Sequence, residues 1–261
     1  MKWAVEADAA IKNVPFFVRK KVRQRVEAHA QSCGKREVGI EDVTSLKKQF
    51  LSKGGMEKEV RGYDISTCFG GEGCPNSANS CTKLLGGITA LMDEADIFSF
   101  LKKSVPGDLK FHHEFRVSLS DCPNACSRPQ IVDIGIIGAA RPLAGTKECT
   151  RCMACVDACP DRAICLEIKE HPVIDPDLCL SCGKCITACP TGTIEESERG
   201  FRVLLGGRLG RHPRLAMEVP GIQSRQKVLA IVENCLTFYK TYSTNGQRFS
   251  KILTSLDQVL P

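Results

Sequence analysis

The cysteine pattern in the middle of the chain leaves few folds open. Cys149, Cys152, Cys155 and Cys159-Pro160 form C-x2-C-x2-C-x3-C-P, and Cys179, Cys182, Cys185 and Cys189-Pro190 repeat it with every cysteine displaced by 30 residues. Chance is a very poor explanation for such a repeat. The tight spacing lets one loop set three thiolates around one iron-sulfur cube, while the fourth cysteine turns away after a helical step and reaches the other cube. The first cube then takes Cys149, Cys152, Cys155 and Cys189, and the second Cys179, Cys182, Cys185 and Cys159. Structural zinc also uses paired cysteines, but as two pairs, not as three close cysteines with a fourth before proline, twice over. Two adjacent cubes make a wire for single electrons rather than a catalyst, so the electrons are destined for another site in the chain or a partner.

With 261 residues, 43% of them hydrophobic, the chain is long enough for one or two domains. Sixteen cysteines in a short secreted protein would suggest disulfides, but this chain is long and opens MKWAVEADAA, without the apolar core of a signal peptide. No apolar run approaches the roughly 20 residues of a membrane span. The expectation is a cytoplasmic protein without membrane insertion, in which thiols stay reduced and bind metal. The formal charge of +6 counts each thiol as neutral. An oxidised cube with its four thiolates carries about −2, so three of them bring the chain near neutrality. No recognised motif accompanies the basic residues, and nucleic-acid binding is not expected.

Four segments differ in composition. In residues 1–56, Val18, Val22, Val26 and Ala30 recur every four residues, predicting a helix that stops at Gly34; a second helix carries Val43, Leu46 and Phe50 before the Gly54-Gly55 break. The run Val14-Pro15-Phe16-Phe17-Val18-Arg19 with Val26-Glu27 resembles the small helical C-terminal domain of a light-independent protochlorophyllide reductase subunit. Arg19, Lys20, Lys21, Arg23 and Arg25 read as a solvated helix surface, or as a dock for an acidic partner or tetrapyrrole carboxylates. Residues 57–145 are glycine-rich with two cysteine pairs. Residues 146–198 hold the repeat, which resembles a bacterial ferredoxin module whose short strands are expected at Ile164–Ile168 and Pro172–Ile174, with Cys165 packed in one of them. Residues 199–261 begin with a buried-strand pattern, Gly200 to Gly207, and end in an amphipathic helix with Val228, Ile231, Val232, Cys235 and Phe238 on its apolar side.

A third four-cysteine site is assembled from Cys68-Phe69-Gly70-Gly71-Glu72-Gly73-Cys74 and Ser120-Asp121-Cys122-Pro123-Asn124-Ala125-Cys126. Cys81 competes as a ligand, but the glycines between Cys68 and Cys74 favour close approach of that loop to a cube. The C-x5-C and C-x3-C pairs, with Cys122-Pro123-Asn124, resemble the cluster and siroheme motif of sulfite and nitrite reductases, dissimilatory and anaerobic branches included. Gly206-Gly207-Arg208-Leu209-Gly210-Arg211-His212-Pro213 looks like the C-terminal part of the same domain. The resemblance covers about 57–145 and 199–261, with the ferredoxin module inserted at 146–198.

That resemblance implies three 4Fe-4S clusters, and a siroheme whose axial thiolate is Cys126, with Asn124 beside it. Such chemistry needs basic groups that neutralise a small anionic substrate such as sulfite or nitrite and donate protons; the candidates by proximity in sequence are Lys83, Arg116 and Arg128, with Lys110, His112 and His113, each of which also reads as an ordinary surface charge. Asp121 stands where the family usually has glycine, placing a carboxylate that either deters an anion or donates a proton. Residues 1–56 do not read as the half-domain that completes the siroheme pocket, so a second copy or a second subunit completes it, or the haem is absent. The expected fold is α+β: a helical N-terminal appendage, a mixed sheet with flanking helices, and an inserted ferredoxin module. Three functions follow: a small sulfite reductase-like enzyme served by a low-potential electron donor; a siroheme-free electron-transfer subunit; and a redox partner in tetrapyrrole biosynthesis.

Overall fold

Two stretches of chain form separate units in the computed structural model, Met1–Glu59 and Val60–Pro261, and the residues it describes are 1–12, 14, 16–52, 60–166 and 171–260. In the first unit, β1 (Lys2–Trp3) pairs in parallel with β2 (Glu37–Val38), around helices α1 (Val5–Lys12), α2 (Phe16–Ser32) and α3 (Ile40–Ser52). The first of these helices was not expected. It places Glu6 and Asp8 in its first turn and Lys12 in its last, which suits the helix dipole. Ala7, Ile11, Val26, Ala30, Val38 and Val43 form the core, with Val22 and Leu46 packed against it. The side chains of Val18 and Phe50, and the Gly54-Gly55 break, lie outside the described residues.

As expected, α2 stops before Gly34, whose φ of +72° lets Lys35 N–H return to the Ala30 carbonyl at 3.0 Å. Two of the basic residues of α2 are used internally. Arg19 donates to the carbonyls of Lys12 and Val14, and Arg23 pairs with Asp8 at 2.7 Å while lying over the Trp3 ring. At the start of α3 the carboxylate of Asp42 accepts from Gly39 N–H (2.9 Å) and Lys35 Nζ (2.7 Å).

The second unit is built on a five-stranded sheet, in the order β3 (Tyr63–Thr67), β4 (Phe115–Ser120), β5 (Ile134–Ala144), β8 (Ile194–Leu205), β9 (Met217–Glu218). The first three strands run parallel, and β8 and β9 are antiparallel to their neighbours. Between β3 and β4 the chain forms α4 (Thr82–Ala95) and α5 (Ile97–Ser104); after β9 it forms α8 (Arg225–Tyr242) and α9 (Phe249–Ile252). Phe115, Val117 and Leu119, every second residue of β4, join Ile134, Ile136, Val203 and Leu205 in one core with Leu84, Ile88 and Met92 of α4 and Val228, Val232 and Cys235 of α8. The apolar side expected for α8 is there, with Leu236 and Tyr239 added to it. The chain is thus α+β.

The inserted segment contributes α6 (Ala154–Asp157), β6 (Ile164–Cys165), β7 (Val173–Ile174) and α7 (Lys184–Ala188). Its repeat extends to the backbone. Left-handed residues recur 30 positions apart at Arg151 and Ser181, Met153 and Gly183, and Arg162 and Gly192. The pairing of Ile164 with Ile174 has its counterpart in Ile194 with Ala144, so the second half borrows its two-stranded ribbon from the ends of β5 and β8. The expected boundary at 198/199 falls inside β8. Cys165, expected to pack, is exposed, because neighbouring residues of a strand face opposite sides and Ile164 takes the covered one; Ile168 lies outside the described residues.

Gly138 in β5 is where the sheet meets the cysteine loops. A methyl group there would lie 2.3 Å from the Asn79 carbonyl oxygen and 2.5 Å from that of Asp121. Gly138→Ala is expected to destabilise the second unit by about 2–3 kcal/mol, as overpacking against backbone does, read as a lower urea midpoint at unchanged slope. In the first unit, the Lys35 ammonium and then Gly39 N–H hold the Asp42 carboxyl below its ordinary 3.8. A depressed carboxylate stabilises fully above that ordinary value and ceases to as pH falls through the lowered one. Asp42→Ala is therefore expected to cost about 1 kcal/mol at neutral pH. The difference from wild type should vanish in acid, as followed by the fluorescence of Trp3, the chain's single tryptophan.

Candidate metal centres and their surroundings

The third site arises from parallel pairing. Thr67 of β3 is opposite Leu119 of β4, so the residues that follow each strand emerge side by side, and Cys68 N–H donates to the Leu119 carbonyl at 3.0 Å. Cys68 then caps a 3-10 turn, Phe69–Glu72, that ends at Gly73 with φ +94°. Its sulfur accepts from Gly70 N–H (3.3 Å) and Asp121 N–H (3.2 Å). Burial pushes the Cys122 thiol up, and the nearby Cys126, Cys68 and Cys74 push it further, against a lowering from Asn124 N–H. These four cysteines are therefore one electrostatic group. Cys122 is buried, Cys68 and Cys74 are half-buried, and Cys126 is exposed.

Cys81 is placed differently. It is 3% exposed, belongs to the main apolar core, and directs its thiol to the Ser120 carbonyl at 3.6 Å. Burial, and then the charge of Asp121, hold that thiol well above its usual range. It is packed as a small apolar residue rather than presented to a ligand.

The Asp121 carboxylate neither faces outward nor waits for an anion. It is 4% exposed and accepts from Cys81 N–H at 2.9 Å and Ser77 Oγ at 3.4 Å, while its carbonyl accepts from Ala78 and Asn79 N–H. Gly70 leaves room for it: a methyl there would lie 2.4 Å from the Asp121 carboxyl carbon. Asp121 thus ties the start of α4 to the end of β4, a role the sequence did not announce. Beneath this loop, Ser118 and Ser120 are buried and bond to Ser127: Ser118 Oγ donates to its carbonyl at 2.6 Å, and the Ser120 and Ser127 hydroxyls are 2.7 Å apart. The polar side of β4 thereby holds down the segment carrying Cys122 and Cys126.

The cysteines of the repeat fall into two groups in the fold. Burial, then Cys182, Cys179 and Cys159, push the Cys185 thiol up to about 12, and one cavity is walled by Cys159, Cys179, Cys182 and Cys185. Burial raises Cys155, with Cys189 and Cys149 adding to the effect; Cys152 is exposed. Backbone N–H groups point at sulfur throughout: Arg151 to Cys149 (3.4 Å), Ala163 to Cys159 (3.3 Å) and Ile194 to Cys189 (3.4 Å). Among the described residues no three His, Cys, Asp or Glu side chains converge on a single ion. A cube offers a separate iron to each thiolate, so its ligands need not converge. Crowded sulfurs that raise one another's pKa, several of them met by N–H donors, suit a cationic metal core that ionises them all.

The basic candidates divide. Lys83, exposed on the first turn of α4, and Arg128, exposed two residues after Cys126 with φ +60°, lie at the cysteine end of the sheet, as does exposed Asn124. Arg116 does not. It is near the start of β4, six residues and about 20 Å of strand from Cys122, and donates to the Phe111 carbonyl at 3.2 Å. Lys110, His112 and His113 precede it and share that remote end. Arg208 and Arg214 are turned onto backbone carbonyls: Arg208 bonds to His212 and Ser250, and Arg214 to Gly206, Ser250 and Leu253.

Known proteins are similar to this chain. The family model described as nitrite and sulphite reductase 4Fe-4S domain matches residues 71–257, and that of the proto-chlorophyllide reductase 57 kD subunit matches residues 3–47. A coenzyme F420-dependent sulfite reductase from Methanocaldococcus jannaschii is 30% identical over 80% of this chain, which spans 31% of that protein's length. A light-independent protochlorophyllide reductase subunit from Heliobacterium modesticaldum is 41% identical over 21% of this chain and 10% of its own. The crystal structure of dissimilatory sulfite reductase I aligns with 80% of this chain and 54% of its own, at 15% identity and a TM-score of 0.48. Among the described residues no helix is long and apolar enough to cross a membrane. With its family match running from the first cysteine loop to the last helices, the chain belongs to the nitrite and sulphite reductase 4Fe-4S domain family, an iron-sulfur oxidoreductase family.

Proposed function

We propose that this chain passes single electrons from two ferredoxin-type 4Fe-4S clusters to a third cluster, coupled through Cys126 to siroheme, where sulfite or a related small oxyanion is reduced. One observation carries the electron path. Cys122, Pro123 and Asn124 of the third site line the same cavity as Pro160, Asp161, Leu180 and Cys182 of the module, so the Cys179–Cys182–Cys185–Cys159 group is the nearer one. The module is fixed there by the sheet: Ala140 N–H of β5 donates to the Ser181 carbonyl at 2.8 Å, and a side chain at Gly183 would crowd Ala140. The Cys149–Cys152–Cys155–Cys189 group is then the outer end, where a low-potential donor delivers electrons. Cys126 is the exposed thiol of its group, which leaves its sulfur free to face a second cofactor.

Lys83 and Arg128 supply positive charge at the cysteine end of the sheet, and Asn124 a neutral hydrogen-bonding group; Lys184 lines the cavity that Cys122 and Asn124 share with the module. An anionic substrate and a tetrapyrrole with carboxylates call for further cations, which a second copy or a second subunit supplies. Residues 1–56, which do not read as the half-domain that completes a siroheme pocket, favour one other reading, a siroheme-free subunit that hands electrons to a separate reductase.

Protein purified without oxygen, from cells rich in siroheme, is expected to carry iron and acid-labile sulfide near 12 each for three cubes, with one further iron and the Soret and α-bands of siroheme. The broad sulfur-to-iron band alone would establish the electron-transfer subunit in place of the reductase. Cys182→Ser should lower iron content and soluble yield together, because cluster binding stabilises only the folded state; wild-type values for both would refute the module assignment. Cys126→Ser should abolish the siroheme bands while leaving about eight irons in the module.

A further inference from the structure

A duplicated sequence makes two equivalent centres, so a chemical difference between equivalent positions makes them unequal. After the fourth cysteine of each half the chain reads Pro160-Asp161-Arg162-Ala163-Ile164 in the first and Pro190-Thr191-Gly192-Thr193-Ile194 in the second. Cys159 accepts Ala163 N–H at 3.3 Å, and Cys189 accepts Ile194 N–H at 3.4 Å. Cys189 has in addition a hydroxyl: Thr191 Oγ1 is 3.6 Å from its sulfur. That hydroxyl is 2.8 Å from Thr193 Oγ1. Thr193 is fully buried, and its hydroxyl donates to the Glu148 carbonyl at 2.9 Å. The first half has Asp161 and Ala163 at these positions: an acceptor and a methyl group.

Two hydroxyl protons serve three contacts here: the sulfur, the contact between hydroxyls, and the Glu148 carbonyl. Negative charge added at Cys189 draws the Thr191 proton to sulfur and the Thr193 proton to the oxygen behind it, at the expense of the Glu148 bond. Hydrogen bonds to an anion are roughly twice as strong as neutral ones and reinforce one another in a chain. In the other half the exposed Asp161 carboxylate lines the cavity walled by Cys159, Cys179, Cys182 and Cys185. It opposes added negative charge there, weakened by solvent.

We propose that the Thr191–Thr193 hydroxyl chain sets the reduction potential of the outer centre, making the Cys149–Cys152–Cys155–Cys189 cube the easier of the two to reduce. The step is a one-electron reduction by an external low-potential donor: no bond forms or breaks, and each hydroxyl keeps its proton. Electrons then collect at the outer cube, and the inner one, beside the third site, is held at lower potential. This rests on the reading that the module holds two cubes.

The test is an anaerobic redox titration of the full chain followed by electron paramagnetic resonance, with dithionite as reductant and iron and sulfide counted in every sample. In Thr191→Val, with its clusters at full count, the higher of the two module midpoints is expected to move down towards the lower one, and Thr191→Ser, which keeps the hydroxyl, should restore it. The double substitution Asp161→Thr with Ala163→Thr installs the chain in the first half and should raise the lower midpoint, which keeps the test open if Thr191→Val misfolds. Unmoved midpoints in cluster-replete variants would overturn the proposal while leaving the module reading intact. A wild-type chain without module clusters, recognised from its iron count, would overturn both.

Discussion

The pairing of β5 with β8 is the constraint on which the rest of this structure depends. Its ladder runs without a break from Ile134 opposite Leu205 to Ala139 opposite Gly200, and continues past one irregularity at Arg141/Pro142 to Ala144 opposite Ile194. One end lies in the apolar core, where Ile134, Ile136, Val203 and Leu205 are buried under α4 and α8. The other end is a ribbon of the cysteine-repeat module. A sequence shift of one residue would turn every core side chain to the opposite face, so the core that fixes the register of the sheet also fixes where the module sits.

That arrangement sets how the module is held. A module tethered by flexible linkers would not keep a constant distance from the sheet. Here the module has no linkers on the sheet side: β5 and β8 enter it as strands, and Ser181 and Gly183 rest against Ala140. The loops of the third site are held with similar economy. Asp121 binds the start of α4, its N–H meets Cys68, and Ser118 and Ser120 secure Ser127. Polar groups buried in this way are tolerated because nearly all of them are satisfied by hydrogen bonds.

The departure at Asp121 illustrates how a residue's chemistry depends on direction. Along the chain, a carboxylate beside a cysteine loop is either a barrier to anions or a proton donor. In the fold it points inward, matched by Gly70, which gives it room, and by Cys81 N–H, from which it accepts. Arg116 shows the converse: close to Cys122 in sequence, it is a strand's length away in space, because β4 is extended and carries it to the opposite end of the sheet. Proximity in sequence is a fair guide across a turn and a poor one along a strand.

Part of the site was legible in the sequence. Three cysteines in one short loop and a fourth before proline, twice over, is a pattern carried by spacing alone, and the sulfurs it groups lie near one another in the fold; the 3.6-residue periodicity of Val228, Ile231, Val232 and Cys235 likewise specifies a helix and its buried face. The helix at Val5–Lys12 escaped notice because only Ala7 and Ile11 are buried on so short an element. Cys165 is exposed because burial in a strand depends on which face the rest of the fold covers, here that of Ile164, which no local pattern in so short a strand records. What the tertiary structure alone decided is which groups of loops meet: Cys68 with Cys122 through parallel pairing, the inner module group with the third site across one cavity, and Asp121 with Cys81 rather than solvent. These are contacts between residues tens of positions apart, 40 in the case of Asp121 and Cys81, and they follow from strand order and register, which the packing of the whole core selects.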